Sequence, residues 1–311
     1  MENGKNQVTP MEAKLIMAPT KSVMEEIRLY QAVVGSIMYA NGTTRPDISF
    51  VTNQLARQAS QPGKEHLAYG KRAIKYLDGT STMGLLFTGK LDLELTGDVD
   101  SEYAGDTMDR KSMTGWLIDL NGTPVMWQSK QHSIVTTSST ESEYVGYTMI
   151  AKSITWIRNV LKFMGFNMSQ PTKVRVDNQG AMKMAETPKQ HGRTKHIDVR
   201  YHYIREKVSD GTIELVYCPT KEMRADMLTK SLDRVKFEKF RDTMLNSNIK
   251  GRCWYSYCNG DIAVLSSRCQ RQKRSNSIRS SETVYGFKNT DDDVAVESTT
   301  ATELKRAIRD A

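Results

Sequence analysis

The spacing of apolar residues divides the chain into stretches of different period. From Met24 onward, Ile27, Tyr30, Val33, Val34, Ile37 and Met38 recur three and four residues apart, and Ile48, Val51, Leu55, then Leu67, Ile74 and Leu77 continue the pattern. That repeat lays one apolar stripe along a helix. Pro46-Asp47 and Pro62-Gly63 interrupt it and Gly79 closes it, so three helices are expected before residue 90. The roughly 25 residues ahead of them show no period and read as an irregular lead-in.

From Leu91 the period becomes two: Leu91, Leu93 and Leu95 alternate with Asp92, Glu94 and Thr96, the mark of a half-buried strand. Ser112 to Leu120 and Pro124 to Thr137, the latter broken near Lys130 to His132, continue as strands, turned by Asn121-Gly122. A long helix is expected over Glu141 to Met164, with Tyr147, Ile150, Ile154, Ile157, Leu161 and Met164 on one stripe and Gly165 at its end. Next come a short strand (Lys173 to Asp177), a helix (Gln179 to Ala185), a helical run (Asp198 to Val208), a strand (Ile213 to Tyr217) and terminal helices over Glu222 to Lys230 and Val235 to Leu245. Beyond Asn246 the periodicity is lost, Ser and Arg accumulate, and an acidic run, Asp291 to Asp293, appears. Such a stretch has too little apolar surface to repay its ordering. The expected organisation is a helical segment over 1–90, an α/β unit over 91–246 and a low-order tail over 247–311.

Composition narrows the partners. A formal charge of +8 and a pI near 9.2 favour an anionic partner. Cys218, Cys253, Cys258 and Cys269 are too few and too C-terminal for the disulfide framework of a secreted domain, and the last three lack zinc-module spacing. No apolar run is long enough to span a bilayer and no signal peptide leads the chain. An intracellular protein, cytoplasmic or nuclear and without a membrane partner, is the expectation.

Cutting a phosphodiester with two divalent ions needs hard oxygen ligands that converge from separate elements. Asp100 near the end of the first strand, Glu143 at the start of the long helix, Asp177 at the end of the fourth strand and Asp226 in a C-terminal helix form such a set, provided the first and fourth strands are parallel neighbours. Each also has a structural reading. Asp100 lies among Asp98, Glu102 and Asp106 and suits a turn; Glu143 fits a capping box from Thr140; Asp177 suits a helix cap; Asp226 suits a solvated helix face. The joint placement distinguishes them, not any single residue.

Several segments together resemble the C-terminal part of the Pol polyprotein of copia-type LTR retrotransposons. Tyr30-Gln31-Ala32-Val33-Val34-Gly35-Ser36, Thr44-Arg45-Pro46-Asp47-Ile48 and Pro62-Gly63-Lys64-Glu65-His66 are similar to the region that follows the reverse transcriptase palm. Gly97 to Asp106, Ser138-Ser139-Thr140-Glu141-Ser142-Glu143-Tyr144, Val176-Asp177-Asn178-Gln179 and Ala225-Asp226-Met227-Leu228-Thr229-Lys230 resemble the four ribonuclease H motifs in order, with Arg193-Thr194-Lys195-His196-Ile197-Asp198 between the third and fourth. The resemblance implies a ribonuclease H-like mixed five-stranded sheet flanked by helices, preceded by a small helical remnant of the reverse transcriptase. It further implies an endonuclease for the RNA strand of RNA/DNA hybrids, with Asp100, Glu143, Asp177 and Asp226 holding two Mg2+ or Mn2+ ions and Glu143 beside the substrate 2′-hydroxyl. Lys111, Arg193 and Lys195 are candidates for phosphate contact, and other Pol-derived chains are candidate partners.

Some residues depart from that pattern. Asp98 is a second acid on the face of Asp100, Gly146 and Thr148 weaken a helical turn, and Tyr217-Cys218-Pro219-Thr220 has no histidine where cellular ribonucleases H carry one. Paired Asp-Asp polymerase, aspartic-protease and integrase motifs are missing. The chain therefore reads as a truncated piece, either a working ribonuclease H or an inactive or co-opted remnant that keeps the fold and nucleic-acid binding.

Overall fold

The computed structural model describes residues 7–12, 24–87, 93–106, 109–186 and 195–247, with backbone alone for 24–25 and 195–201. Most of the expected lead-in, Leu91, Arg193, the Lys195 side chain, Cys253, Cys258, Cys269 and the tail beyond 247 lie outside that description.

The three helices expected early in the chain are α1 (Met24–Thr43), α2 (Ser49–Arg57) and α3 (Lys64–Gly79), with a 3-10 turn at Pro46–Ile48. Proline at the start of that turn loses no intrahelical bond. Arg45, only 1% exposed, locks the turn in place. It grips Asp47 through two bonds of 2.8 and 2.9 Å and Thr80 Oγ1 at 2.7 Å, while the Tyr76 hydroxyl donates to Asp47 at 2.5 Å. A fully buried ion pair persists only when its remaining donors and acceptors are met in this way.

Five strands follow in one sheet: β1 (Leu95–Glu102), β2 (Met113–Leu120), β3 (Thr123–Gln131), β4 (Thr172–Val176) and β5 (Ile213–Tyr217), in the order β3-β2-β1-β4-β5. β1, β2 and β3 are antiparallel, and β4 and β5 extend the sheet in parallel from β1. This is the ribonuclease H-like sheet that the resemblance implied. Asn121 (φ 52°) and Gly122 (φ 80°) make the β2–β3 turn, where positive φ at both central residues matches the twist of the strands. β3 stops at Gln131, within the break expected near Lys130 to His132, and no strand resumes over 132–137.

α4 (Ser139–Phe163), α5 (Gln179–Glu186) and α6 (Lys195–Ser209) follow β3 and β4. Tyr147, Ile150, Ile154 and Ile157 of α4 pack on Val99, Trp116 and Ile118 to form one core; Met164, expected on the same stripe, is 63% exposed. Close approach of α4 to the sheet explains Gly146. A Cβ there would lie 2.6 Å from Ser101 Oγ and 3.1 Å from Val99 Cγ2, so the residue that weakens the helix by ~1 kcal/mol is the one that lets α4 settle on β1, one turn after Glu143.

The opposite face carries a second core. Tyr30, Val33, Ile37, Ile48 and Leu55 of the early helices meet Leu117 of β2 and Met223, Met227, Leu228, Phe237 and Phe240 from the end of the fold. Those last residues belong to or precede α7 (Asp226–Thr229) and α8 (Arg234–Met244). The helix expected over Glu222 to Lys230 is thus a single turn preceded by non-helical turns. It tucks against Gly115, where a Cβ would meet Leu228 Cβ at 2.5 Å and the Ala225 carbonyl at 2.9 Å, and that contact positions Asp226.

Candidate active site

Parallel pairing sets Asp98 of β1 opposite Arg175 of β4, so Asp100 and Asp177, each two residues further on, emerge at the same end of the sheet. Glu143 comes to them from the first turns of α4. Each of Asp100, Glu143 and Asp177 offers a carboxylate oxygen within 4.8 Å of the other two. They line an open cleft of about 540 Å³, whose rim includes Tyr103, Tyr217 and Lys230.

Neighbouring residues take over the structural duties that these acids were equally fit for. The N-cap of α4 is Ser138 rather than Thr140: Glu141 N–H donates to Ser138 Oγ at 3.2 Å, and the Glu141 carboxylate accepts from the N–H of the preceding residue, Thr137, at 2.6 Å. Glu143 is left outside the cap. Asn178, not Asp177, caps α5 by accepting from Ala181 N–H at 3.0 Å. Asp177 Oδ2 accepts a single bond of 2.9 Å from the Thr220 hydroxyl.

Asp98, on the same face of β1 as Asp100, is committed elsewhere. Arg175 holds both of its oxygens, at 2.5 and 2.7 Å, and Arg224 Nε donates to Oδ2 at 2.6 Å while its other end reaches Asp119 at 2.5 Å. Asp98 therefore does not compete for a place in the cleft.

Two of the cleft carboxylates, Asp100 and Glu143, are buried and Asp177 is half-buried, with positive charge on one flank only. Asp100 is 4% exposed and its carboxyl is pushed up to about 7 by burial, with Asp226 and Asp177 adding to the rise and Lys230 and the Thr229 hydroxyl opposing it. Thr229 Oγ1 donates to Asp100 Oδ2 at 2.6 Å. Burial first, then the nearby Asp100 and Asp177, hold Glu143 well above the usual carboxylate range. Glu143 is 5% exposed and its Oε2 is buried without a hydrogen-bond partner.

Asp226, the fourth expected ligand, lies beside this group but not within it. Its side chain is 0% exposed, with Oδ1 2.9 Å from the Lys230 ammonium and Oδ2 bound by Lys236. Lys230 also reaches Glu102 at 3.6 Å and Asp100 at 3.9 Å. Lys111 pairs with Asp109 at 3.1 Å in the β1–β2 loop, away from the cleft. Lys230 and Thr229 were missed in the sequence reading, although Asp226 and Lys230 stand at the i, i+4 spacing that brings a helical acid and base together.

Three converging hard-oxygen donors, one of them with an orphaned buried oxygen, suit Mg2+ or Mn2+, which favour carboxylate and water. A divalent cation would relieve both the repulsion among the acids and the unmet demand of Glu143.

No protein-family model matches the chain. It is 39% identical over 257 residues to the retrovirus-related Pol polyprotein from transposon TNT 1-94 of Nicotiana tabacum, covering 80% of this chain and 19% of that protein. It is 34% identical over 242 residues to the corresponding polyprotein from transposon RE1 of Arabidopsis thaliana, covering 76% and 16%. The chain thus spans less than a fifth of either relative. Among solved structures, LC11-RNase H1, isolated from compost by a metagenomic approach, aligns over 47% of this chain and 96% of its own at 17% identity and a TM-score of 0.35. By its sequence relationships, the chain belongs to the copia-type, retrovirus-related Pol polyproteins of transposons and corresponds to a portion of one.

Proposed function

We propose that this chain is a ribonuclease H, a divalent-metal-dependent endonuclease for the RNA strand of RNA/DNA hybrids, acting as part of a transposon Pol protein whose 1–90 segment is a remnant of the reverse transcriptase. The convergence of Asp100, Glu143 and Asp177 at the open end of the sheet carries the reading. Mg2+ or Mn2+ ions, two in the full reaction, would supply an activated water and charge stabilisation at the leaving oxygen.

The chain's own residues provide the rest. Asp100, Glu143 and Asp177 hold the cation position from three separate elements, so its geometry depends on the sheet and not on a loop. Thr229 and Thr220 orient Asp100 and Asp177 through their hydroxyls. The cleft is open on one side, with Tyr103 and Tyr217 at its rim, giving a nucleic-acid backbone access without unfolding. The overall positive charge favours a polyanionic substrate. Lys111, Arg193 and Lys195 remain proposed phosphate contacts.

One observation favours the second reading, a remnant that keeps the fold without cleaving: both oxygens of Asp226 face lysines. Incubating the full chain with a labelled RNA/DNA hybrid and Mg2+ or Mn2+, beside Asp100→Asn and Asp177→Asn, separates the two. The nuclease reading expects cleavage by the unmodified chain alone. No cleavage by it sinks that reading, and equal cleavage by the variants sinks the site assignment.

A further inference from the structure

The Lys230 ammonium stands among carboxylates that come from different elements. It lies 2.9 Å from Asp226 on α7 and 3.9 and 3.6 Å from Asp100 and Glu102 on β1. Asp100 is shared between this group and the cluster with Glu143 and Asp177. Two adjoining carboxylate groups therefore share Asp100. One, Asp100, Glu143 and Asp177, converges closely enough to hold a metal ion; the other, Asp100, Asp226 and Glu102, surrounds the ammonium of Lys230.

We propose that the second group is also a cation position, with Lys230 as its tethered counter-cation, so that the nucleic-acid-free chain takes one divalent ion at Asp100, Glu143 and Asp177 and admits another only when Lys230 leaves. This rests on the metal-dependent reading of the same cleft and specifies the order in which it is loaded. Coulomb exclusion is the physical reason: an ammonium and a divalent cation cannot share the same carboxylate oxygens at contact distance. Burial favours the lysine in place, because Asp226 is fully buried and would otherwise keep Lys236 as its one counter-charge among the described residues.

Departure of the lysine is nonetheless within reach. Its side chain is 35% exposed and lines the open cleft, so the ammonium can turn outward by rotation about its own flexible stem. A phosphodiester entering the cleft offers it a new anionic partner. The substrate class that admits the second ion is then a nucleic-acid backbone, whose phosphate both draws Lys230 away and contributes oxygen ligands to the vacated position. Lys236, bound to the other oxygen of Asp226, keeps that carboxylate oriented meanwhile. Lys230 acts here as a positioning residue, setting when the second position opens.

Mn2+ binding to the full chain without nucleic acid, counted by equilibrium dialysis and by the EPR signal of free Mn2+, tests this without an activity readout. Wild type should bind one ion tightly. Lys230→Gln should bind a second about tenfold or more tightly than wild type does, whereas Lys230→Arg, which keeps the charge, should retain the wild-type count. Circular dichroism checks that each variant is folded, and the wild-type count and the arginine variant stand even if the glutamine variant is not. Two equivalent tight ions in wild type, or an unchanged second site in folded Lys230→Gln, overturn the role of Lys230 while leaving the metal centre intact. No Mn2+ bound by wild type overturns the metal centre itself, and this inference with it.

Discussion

Two acidic regions lie side by side on one face of β1, one balanced by cations and the other left net negative. Around Asp98, two buried carboxylates, Asp98 and Asp119, meet two guanidiniums, Arg175 and Arg224, in a closed ladder of short bonds. Around Asp100, one strand repeat away, Glu143, Asp177 and Asp226 are gathered with Lys230 and Lys236 on one flank only. The first region matches its buried carboxylates with guanidiniums within the protein, although Asp119 Oδ1 itself has no hydrogen-bond partner. The second leaves buried negative charge and an orphaned oxygen at Glu143, a demand that a bound cation can meet. Buried acids alone do not mark a site; an acid group whose cations lie to one side does.

Breaking the closed region should have the largest effect. Arg224→Met leaves Asp98 and Asp119 facing each other without the cation between them, and removing one partner of a buried pair costs about 3–5 kcal/mol. Urea unfolding should show a midpoint lowered accordingly, with the slope unchanged. Asp98→Asn should cost less and, if the closed region is purely structural, leave cleavage by the folded fraction close to wild type. A folded Asp98→Asn protein that cannot cleave would join the two regions into one site.

The open region should respond with the reverse pattern. Asp100→Asn removes a ligand worth several kcal/mol of transition-state charge stabilisation, so cleavage should fall by about a hundredfold or more. Stability without metal should rise, because one charge leaves a repelling group. Measuring rate and urea midpoint on both Asp98→Asn and Asp100→Asn sets the regions against each other, and a loss of stability on Asp100→Asn would mean that its carboxylate is structurally paired.

The sign of the pH dependence follows from the same contrast. Asp100 in the folded chain titrates at about 7, above its ordinary 3.8, so the folded state holds this proton more tightly than the unfolded state. Its contribution makes metal-free stability fall as pH rises from about 4 through about 7, with the penalty fully present above that window and absent below it. Excess Mn2+, which requires the ionised carboxylates, should flatten or reverse the slope. Thermal melts across that range, with Mn2+ or with a chelator, check it; a metal-free midpoint that climbs through the window would contradict the placement of Asp100 among unneutralised acids.

Strand alternation, the long apolar stripe of α4 and the parallel pairing of β1 with β4 were legible because they are periodic or follow from chain order. The convergence of Asp100, Glu143 and Asp177 was legible for the same reason, since each falls near the end of an element, whereas the place of Asp226 beside that group was not. Which of two nearby acids is free was not, because the deciding partners come from afar: Arg175 and Arg224 are 77 and 126 residues from Asp98. Gly146 misled for a related reason. Helix propensity is a local quantity, whereas the contact that requires glycine there is with Ser101 and Val99 on a strand.

The smallest effect tests whether local capping controls the open region. The Ser138–Glu141 cap fixes where α4 begins and hence the turn on which Glu143 stands. Ser138→Ala should cost about 1 kcal/mol, as the loss of an N-cap usually does. If the cap only starts the helix, the metal-bound activity of the folded protein should stay within about twofold of wild type, because Gly146 against β1 and the Tyr147 to Ile157 stripe still hold the helix in register. A larger drop in cleavage at full folding, with weaker Mn2+ binding, would mean that Glu143 reaches the cluster only through the capped first turn, and the acid that the cap releases would then depend on the acid that makes it.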